Sequence, residues 1–342
     1  MRSVLTVAAL ACAGRSLPRG SLPRLSAGAL LPVNKIPLPL LRACQPAVLS
    51  PGKGQFSVVA SRALLSTSSS PPPTSSSLAN MSFVTADIKD SGFAVISIKR
   101  EPVNSMDLAM WEQLLQVLTD CEKNEDVRGV IFCSAVSRPV FTAGNDLKEL
   151  YAGTTNAERY AKFWAVSNIF LARLSNSPLV TVAAIKGACP AGGTCLAMAC
   201  DYRIITENGS MGLNEVAIGI PVPAKWIKLM ASIIGQGKTD KMVLFGRMLG
   251  AKEALAVGLV DKMVADEDTL MATATKTIEG LLRLPDSGRI VTKNTLRGDL
   301  AREWADPKWL KMESDGAWKM LSSPDVVDFM GGVMARLSKS KM

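Results

Sequence analysis

The sequence predicts an α/β domain of layered strands and helices. Three observations predict it. Short segments with apolar residues at every second position alternate with longer ones whose apolar residues recur three and four apart. Two glycine-bearing turns, at 141–149 and 187–193, each leave an apolar strand pattern and enter a helical one. Strand-strand-helix units recur along the chain, which argues against a helical bundle or an all-β sandwich.

Taken in order, 83–89 and 93–99 alternate around Asp90-Ser91-Gly92, the pattern of a hairpin. Leu108, Trp111, Leu114, Leu115, Leu118 and Cys121 then mark one face of a helix, with Asn104 or Ser105 as N-cap candidates. Residues 128–134 read as a short apolar strand, 158–174 as an amphipathic helix and 179–186 as a buried strand. The turn at 187–193 leads into an apolar helical run to Cys200 and a strand at 202–206. Beyond Pro223 the chain reads as mostly helical, with a strand at 258–264. It closes in charged amphipathic helices from about Asp286, suited to packing or oligomerisation.

Composition removes several chemistries. The 342 residues include no histidine, so a Ser-His-Asp or Cys-His relay, a histidine base and a His-ligated zinc are all excluded in cis. The 39 Lys and Arg against 30 Asp and Glu suggest a basic protein until they are divided along the chain. Residues 1–80 hold eight basic residues and no acid, leaving 31 basic and 30 acidic residues in 81–342. A nearly neutral body gives no footprint for nucleic acid.

The acid-free, Arg-punctuated stretch rich in Ser, Ala and Leu is composed like a mitochondrial presequence, expected over 1–66, with a matrix destination. A Ser/Pro linker is expected over 67–80, a catalytic core over 81–284 and a helical oligomerisation region over 285–342. Ser340-Lys341-Met342 is close to a peroxisomal tripeptide and suggests a second, minor address. No apolar run approaches the ~20 residues that cross a bilayer. Seven cysteines, five of them after the expected presequence, lack metal-type spacing and are expected to be free and mostly buried.

The two glycine turns, Phe141 through Glu149 and Gly187 through Gly193, hold the candidate chemistry. The first N–H groups of a helix have no carbonyl partner within it, and glycine lets a ligand approach them. Two such turns facing one point would make an oxyanion hole; taken separately, each also reads as an ordinary strand-to-helix turn. Neither contains a dinucleotide-binding or Walker sequence.

In order, Pro102-Val103-Asn104-Ser105-Met106, Phe141-Thr142-Ala143-Gly144-Asn145-Asp146-Leu147, Gly187 to Cys200 with Asp201-Tyr202-Arg203, and Gly212-Leu213-Asn214-Glu215 resemble the crotonase (enoyl-CoA hydratase/isomerase) superfamily over nearly all of 82–342. Residues 187–193 and 212–215 look most like the isomerases of that family. The resemblance implies a crotonase-like spiral of ββα units with a C-terminal helical region that trimerises, an acyl-CoA thioester substrate, and no cofactor beyond the coenzyme A of that substrate. It places the thioester oxygen on the N–H groups of Ala143 and Gly192, with Gly144, Asn145, Asp146, Leu147 and Asn214 around the substrate.

The hydratases of the family carry two glutamates. Alignment on the glycines puts the first at Cys195, which has no carboxylate, and the second at Glu215. Hydration divides two tasks between two acids, whereas a double-bond shift needs one base that removes a proton from C2 and returns it to C4. The resemblance therefore implies a 3-enoyl-CoA to 2-trans-enoyl-CoA isomerase of β-oxidation with Glu215 as the base. An enoyl-CoA hydratase and a non-catalytic acyl-CoA-binding protein remain as alternatives.

Other readings stay open at individual positions. Glu215 also reads as a solvated carboxylate after a short strand, and Asn214 as a turn residue. Asp146, Lys148 and Glu149 form a charged helix start, read as solvated capping, with Lys148 near CoA phosphates as the other reading. By the resemblance, Asn104 to Met106 line the adenine side. Cys189 and Cys195 read as buried packing residues. Trp226 reads as a core tryptophan or as a wall of the acyl pocket.

Overall fold

A computed structural model describes residues 83–339. The expected presequence, the linker and the C-terminal tripeptide lie outside those residues.

The hairpin forms as β1 (Val84–Lys89) and β2 (Phe93–Ile98), antiparallel with Val84 opposite Ile98 and Lys89 opposite Phe93. From β2 the main sheet continues in parallel through β3 (Gly129–Ser134), β4 (Val180–Ile185), β6 (Tyr202–Thr206) and β9 (Lys262–Val264), in the order β1-β2-β3-β4-β6-β9. All six residues of β4 are buried, as expected for a central parallel strand covered on both faces.

The period of two sorts residues to the two faces. Ile131, Val182, Ala184 and Ile204 meet Leu270, Ala274 and Ile278 of helix Glu267–Leu281. Val130, Phe132, Ala183, Ile185 and Ile205 face the larger core, filled by α1 (Leu108–Lys123) and α3 (Ala157–Ser175). The short α2 (Leu147–Leu150) precedes α3.

A second, three-stranded sheet positions the site. It consists of β5 (Ala188–Pro190), β7 (Ser210–Gly212) and β8 (Leu249–Gly250), and an isolated bridge from Val140 to Ala188 extends it. Each turn of the chain thus lays one strand in the main sheet and one short strand across its end, the spiral expected from the resemblance. α4 (Gly192–Ala199) follows β5 and is buried at all eight residues. Then come α5 (Ala224–Ile234), α6 (Gln236–Val243), α7 (Ala251–Val257), the helix already noted at Glu267–Leu281 as α8, α9 (Asp286–Trp304), α10 (Pro307–Leu321) and α11 (Pro324–Lys339).

The C-terminal helices pack on the core through polar anchors. Trp304 Nε1 donates to Asn168 Oδ1 at 2.7 Å, and Trp164 Nε1 donates to Glu313 Oε2 at 2.9 Å. All five cysteines among the described residues are free and buried. No described helix is long and apolar enough to cross a membrane.

Two sequence expectations need correction. Asp107, not Asn104 or Ser105, caps α1, its carboxylate accepting from Met110 N–H at 3.0 Å. Asn104 is instead fully buried at φ 53°: its Nδ2 contacts the Ile98 and Phe141 carbonyls and Ser134 Oγ at 3.2, 2.9 and 2.9 Å, and its Oδ1 accepts from Arg100 N–H at 2.7 Å. The strand expected at 258–264 is confined to Lys262–Val264, because Gly258 terminates α7 in the left-handed conformation.

Candidate active site

The site forms where β5 and β7 end side by side. Their parallel register sets Pro190 against Gly212. Ala191 N–H donates to Gly212 O at 2.8 Å, and Gly212 N–H donates to Thr194 Oγ1 at 2.8 Å, while that hydroxyl donates to Cys189 O. The start of α4 and the segment leading to Glu215 are therefore one braced unit at the carboxyl ends of parallel strands, where α/β sheets place their ligands. Ala191 holds φ 52° and ψ −122°, a strained conformation for a residue with a side chain.

Gly192 opens α4, and its N–H donates to no atom among the described residues. The first glycine turn abuts it. A Cβ on Gly144 would lie 3.1 Å from Pro190 O and 3.4 Å from Gly192 N, and one on Gly192 would lie 3.0 Å from Asn145 Oδ1. Asn145 is held in place by Trp111 Nε1, which donates to its Oδ1 at 3.1 Å. The structure thus brings together the two turns that the sequence separates by some 45 positions.

The expected donors are not equivalent. Ala143 is exposed, but its N–H donates to Val103 O at 2.8 Å. Gly144 N–H is taken by Thr142 Oγ1 at 3.0 Å. Asp146 caps α2 through Lys148 N–H at 3.1 Å and pairs with Arg100 at 3.3 Å, so its carboxylate is occupied within the protein. Leu147 and Asn214 are half-buried, and Asn214 O accepts from Ala217 N–H at 3.0 Å.

Glu215 stands apart from every other acid described. It begins a 3-10 turn (Glu215–Ile218), is 5% exposed, and neither carboxylate oxygen has a hydrogen-bond partner among the described residues. Burial pushes its pKa up to about 8. Cys195 is fully buried, and its thiol is pushed well above its ordinary value, first by burial and then by the Glu215 charge. A neutral thiol therefore neighbours the carboxylate.

Glu149 corrects the expectation of a solvated helix start. It is buried, and Arg159 binds it through Nε at 3.0 Å and Nη2 at 2.7 Å, while Leu108 N–H donates to it at 3.1 Å. Burial alone would raise its pKa; the Arg159 and Leu108 bonds outweigh that and hold it below the usual value. Trp226 is 1% exposed and stacks on Trp164 at 6.1 Å, and its Nε1 is buried without a partner. Cys189 is fully buried, as read from the sequence.

A buried acid with no hydrogen-bond partner among the described residues and two abutting glycine turns thus lie at the carboxyl ends of the short parallel strands. The enoyl-CoA hydratase/isomerase pattern matches residues 89–323, and the chain belongs to that crotonase family of enzymes. The chain is 41% identical over 212 residues to human mitochondrial enoyl-CoA delta isomerase 1, covering 60% of this chain and 68% of the human protein. It is 31% identical over 187 residues to a probable enoyl-CoA hydratase of Mycobacterium avium, covering 54% and 71% of the two chains. The crystal structure of human mitochondrial delta3-delta2-enoyl-CoA isomerase superposes with a TM-score of 0.71 at 32% identity, covering 76% of this chain and 99% of that one.

Proposed function

We propose that this protein is an isomerase that moves the double bond of 3-cis- or 3-trans-enoyl-CoA to the 2-trans position, serving the β-oxidation of unsaturated fatty acids in the mitochondrial matrix. The observation that carries the reading is Glu215, a buried carboxylate with no protein partner, beside a neutral thiol where the family's hydratases carry their other acid.

The chemistry follows from those residues. The Glu215 carboxylate takes a proton from C2 of the thioester, the electron pair delocalises onto the carbonyl oxygen, and the dienolate is reprotonated at C4 by the same carboxyl group. Gly192 N–H faces the developing oxyanion, and Ala143 N–H joins it by sharing its hydrogen between Val103 O and the thioester oxygen. A donor of this kind is worth about 3–4 kcal/mol at the transition state. A carboxylate with pKa near 8 is a stronger base toward a carbon acid than a solvated one. Gly144, Asn145, Asp146, Leu147 and Asn214 shape the cleft through backbone and packing. The reaction draws on no metal or redox cofactor. Exposed Val291, Leu296 and Met312 on the C-terminal helices suit the homotrimer implied by the family resemblance.

The test is a pair of assays on wild type and Glu215→Gln. Ultraviolet absorbance follows conjugation of a 3-enoyl-CoA, and a second assay follows water addition to crotonyl-CoA. We expect wild type to isomerise and the variant to lose about 10²- to 10⁴-fold. Equal rates for both proteins would remove Glu215 as the base, and faster hydration than isomerisation would make the protein a hydratase. Tight thioester binding without turnover would make it a binding protein.

A further inference from the structure

The tip of the first glycine turn shares its hydrogen bonds with the segment 100–107, which lies along it as a strap. Ala143 N–H donates to Val103 O at 2.8 Å, Thr142 Oγ1 donates to Asn104 O at 2.6 Å, and that hydroxyl accepts the Gly144 N–H at 3.0 Å. Met106 N–H donates to Gly144 O at 2.9 Å, and Asp146 N–H donates to Met106 O at 3.0 Å. The seat of the strap therefore decides where the Ala143 N–H points.

One residue fastens the strap at both ends. Arg100 N–H donates to Asn104 Oδ1 at 2.7 Å and Arg100 O accepts from Asn104 N–H at 2.8 Å, which closes the near end. The guanidinium reaches the far end, where it donates to Ser105 O and pairs with Asp107 Oδ2 at 2.8 Å and Asp146 Oδ2 at 3.3 Å. Its carbon lies 5.4 Å from the centroid of the Phe83 ring.

The two carboxylates divide their oxygens in the same way. Asp107 gives Oδ1 to Met110 N–H at the start of α1, Asp146 gives Oδ1 to Lys148 N–H at the start of α2, and each turns Oδ2 to Arg100. A single cation thus ties the caps of two helices, one following the strap and the other following the turn. A planar guanidinium can span two acids and a carbonyl at once, whereas an amide offers neither the charge nor the fork. Without it, two like charges remain on opposite sides of the seam between strap and turn and push it open.

We propose that Arg100 is a positioning residue for the oxyanion hole: it locks the strap to the first glycine turn, so that the Ala143 N–H, shared with Val103 O, meets the thioester oxygen in one orientation. Arg100 acts through Val103 and the turn, not by touching the substrate. This rests on the acyl-thioester reading above and deepens it.

Infrared difference spectra of bound dodecanoyl-CoA, isotopically labelled at its carbonyl carbon, test the proposal, because a hydrogen bond to a carbonyl lowers its stretching frequency. This saturated thioester is not isomerised; calorimetry reports its binding, and turnover of 3-cis-dodecenoyl-CoA gives kcat and KM. In wild type the carbonyl band is expected below that of the free thioester. Arg100→Gln is expected to move the band back toward the free value and to lower kcat about tenfold, part of the about 10²- to 10³-fold that one donor carries, with KM changed less. Asp107→Asn keeps the cap of α1, since asparagine caps as well as aspartate, but offers Arg100 an amide donor in place of an acceptor. It is expected to shift the band the same way, and it decides the matter if Arg100→Gln does not fold. An unmoved band in the folded variants overturns the role of Arg100, whatever happens to kcat, and leaves the acyl-thioester reading standing. A wild-type band at the free-thioester frequency overturns the oxyanion hole and this proposal together. Failure of wild type to bind the thioester overturns the acyl-thioester reading as well.

Discussion

A Cβ on Gly144 would lie 3.1 Å from Pro190 O and 3.4 Å from the main-chain nitrogen of Gly192, so the two glycine turns are packed closely enough that a side chain at 144 would make its neighbours give way. Gly144 also holds φ 82°, where an alanine is strained by about 1–2 kcal/mol. Gly144→Ala is expected to push the turns apart and lower kcat, by less than the about 100-fold that a 1 Å misplacement costs. Circular dichroism melting checks that the fold survives; unchanged turnover in a folded variant would show that the spacing of the turns is not what matters.

The Glu215 carboxyl makes stability fall with rising pH. Its pKa is raised from 4.5 to about 8 in the folded chain, so between those values the folded state holds a proton that the unfolded state has lost. Full stability is therefore present below about 4.5 and is lost progressively up to about 8. Relative to Glu215→Gln, wild type should lose on the order of a few kcal/mol across that window, read by urea melts at several pH values. Isomerisation runs the opposite way, with kcat/KM rising until the carboxylate is ionised near pH 8. A flat difference between the two melts would mean that Glu215 is solvated.

Cys195→Glu places a second carboxyl beside the first in a fully buried position. The variant is expected to acquire measurable water addition to crotonyl-CoA and to melt at a lower temperature, because two neighbouring acids cannot both ionise cheaply. Hydration absent from a folded variant would show that a second acid alone does not position water in this cleft.

Asn104 is expected to be the costliest polar position in the first motif. Removing its amide in Asn104→Ala strands the Arg100 N–H and the Phe141 carbonyl, while the Ile98 carbonyl keeps the Ala135 N–H, and leaves an alanine at φ 53°. The loss should be about 3 kcal/mol or more. Chemical denaturation measures it, and a loss below about 1 kcal/mol would mean that water replaces the amide.

Periodicity made the frame legible. The alternation around Asp90-Ser91-Gly92 gave the hairpin, and the apolar run Tyr202–Thr206 gave β6 to the residue. Strands of two or three residues, such as β7 and β8, are too short for any period to mark, and they were missed. Helix α8 had a readable start, since Asp266 and Thr269 form a capping box, but only a general helical character was inferred there. At the site, Glu215 was singled out by the family resemblance, whereas local pattern alone reads it as a solvated carboxylate after a short strand. The engagement of Ala143 N–H by Val103 O and the burial of Glu149 against Arg159 come from contacts distant in sequence, which local pattern does not encode.

The three-stranded sheet divides the molecule's vulnerabilities. Because the proposed donor Gly192 and the proposed base Glu215 follow β5 and β7, which clasp each other through Ala191, Gly212 and Thr194, their separation is insulated from repacking elsewhere. Substitutions in the six-stranded sheet are thus free to erode folding while turnover per surviving molecule stays level, whereas a half-ångström slip between two tripeptides would silence a protein that still melts normally.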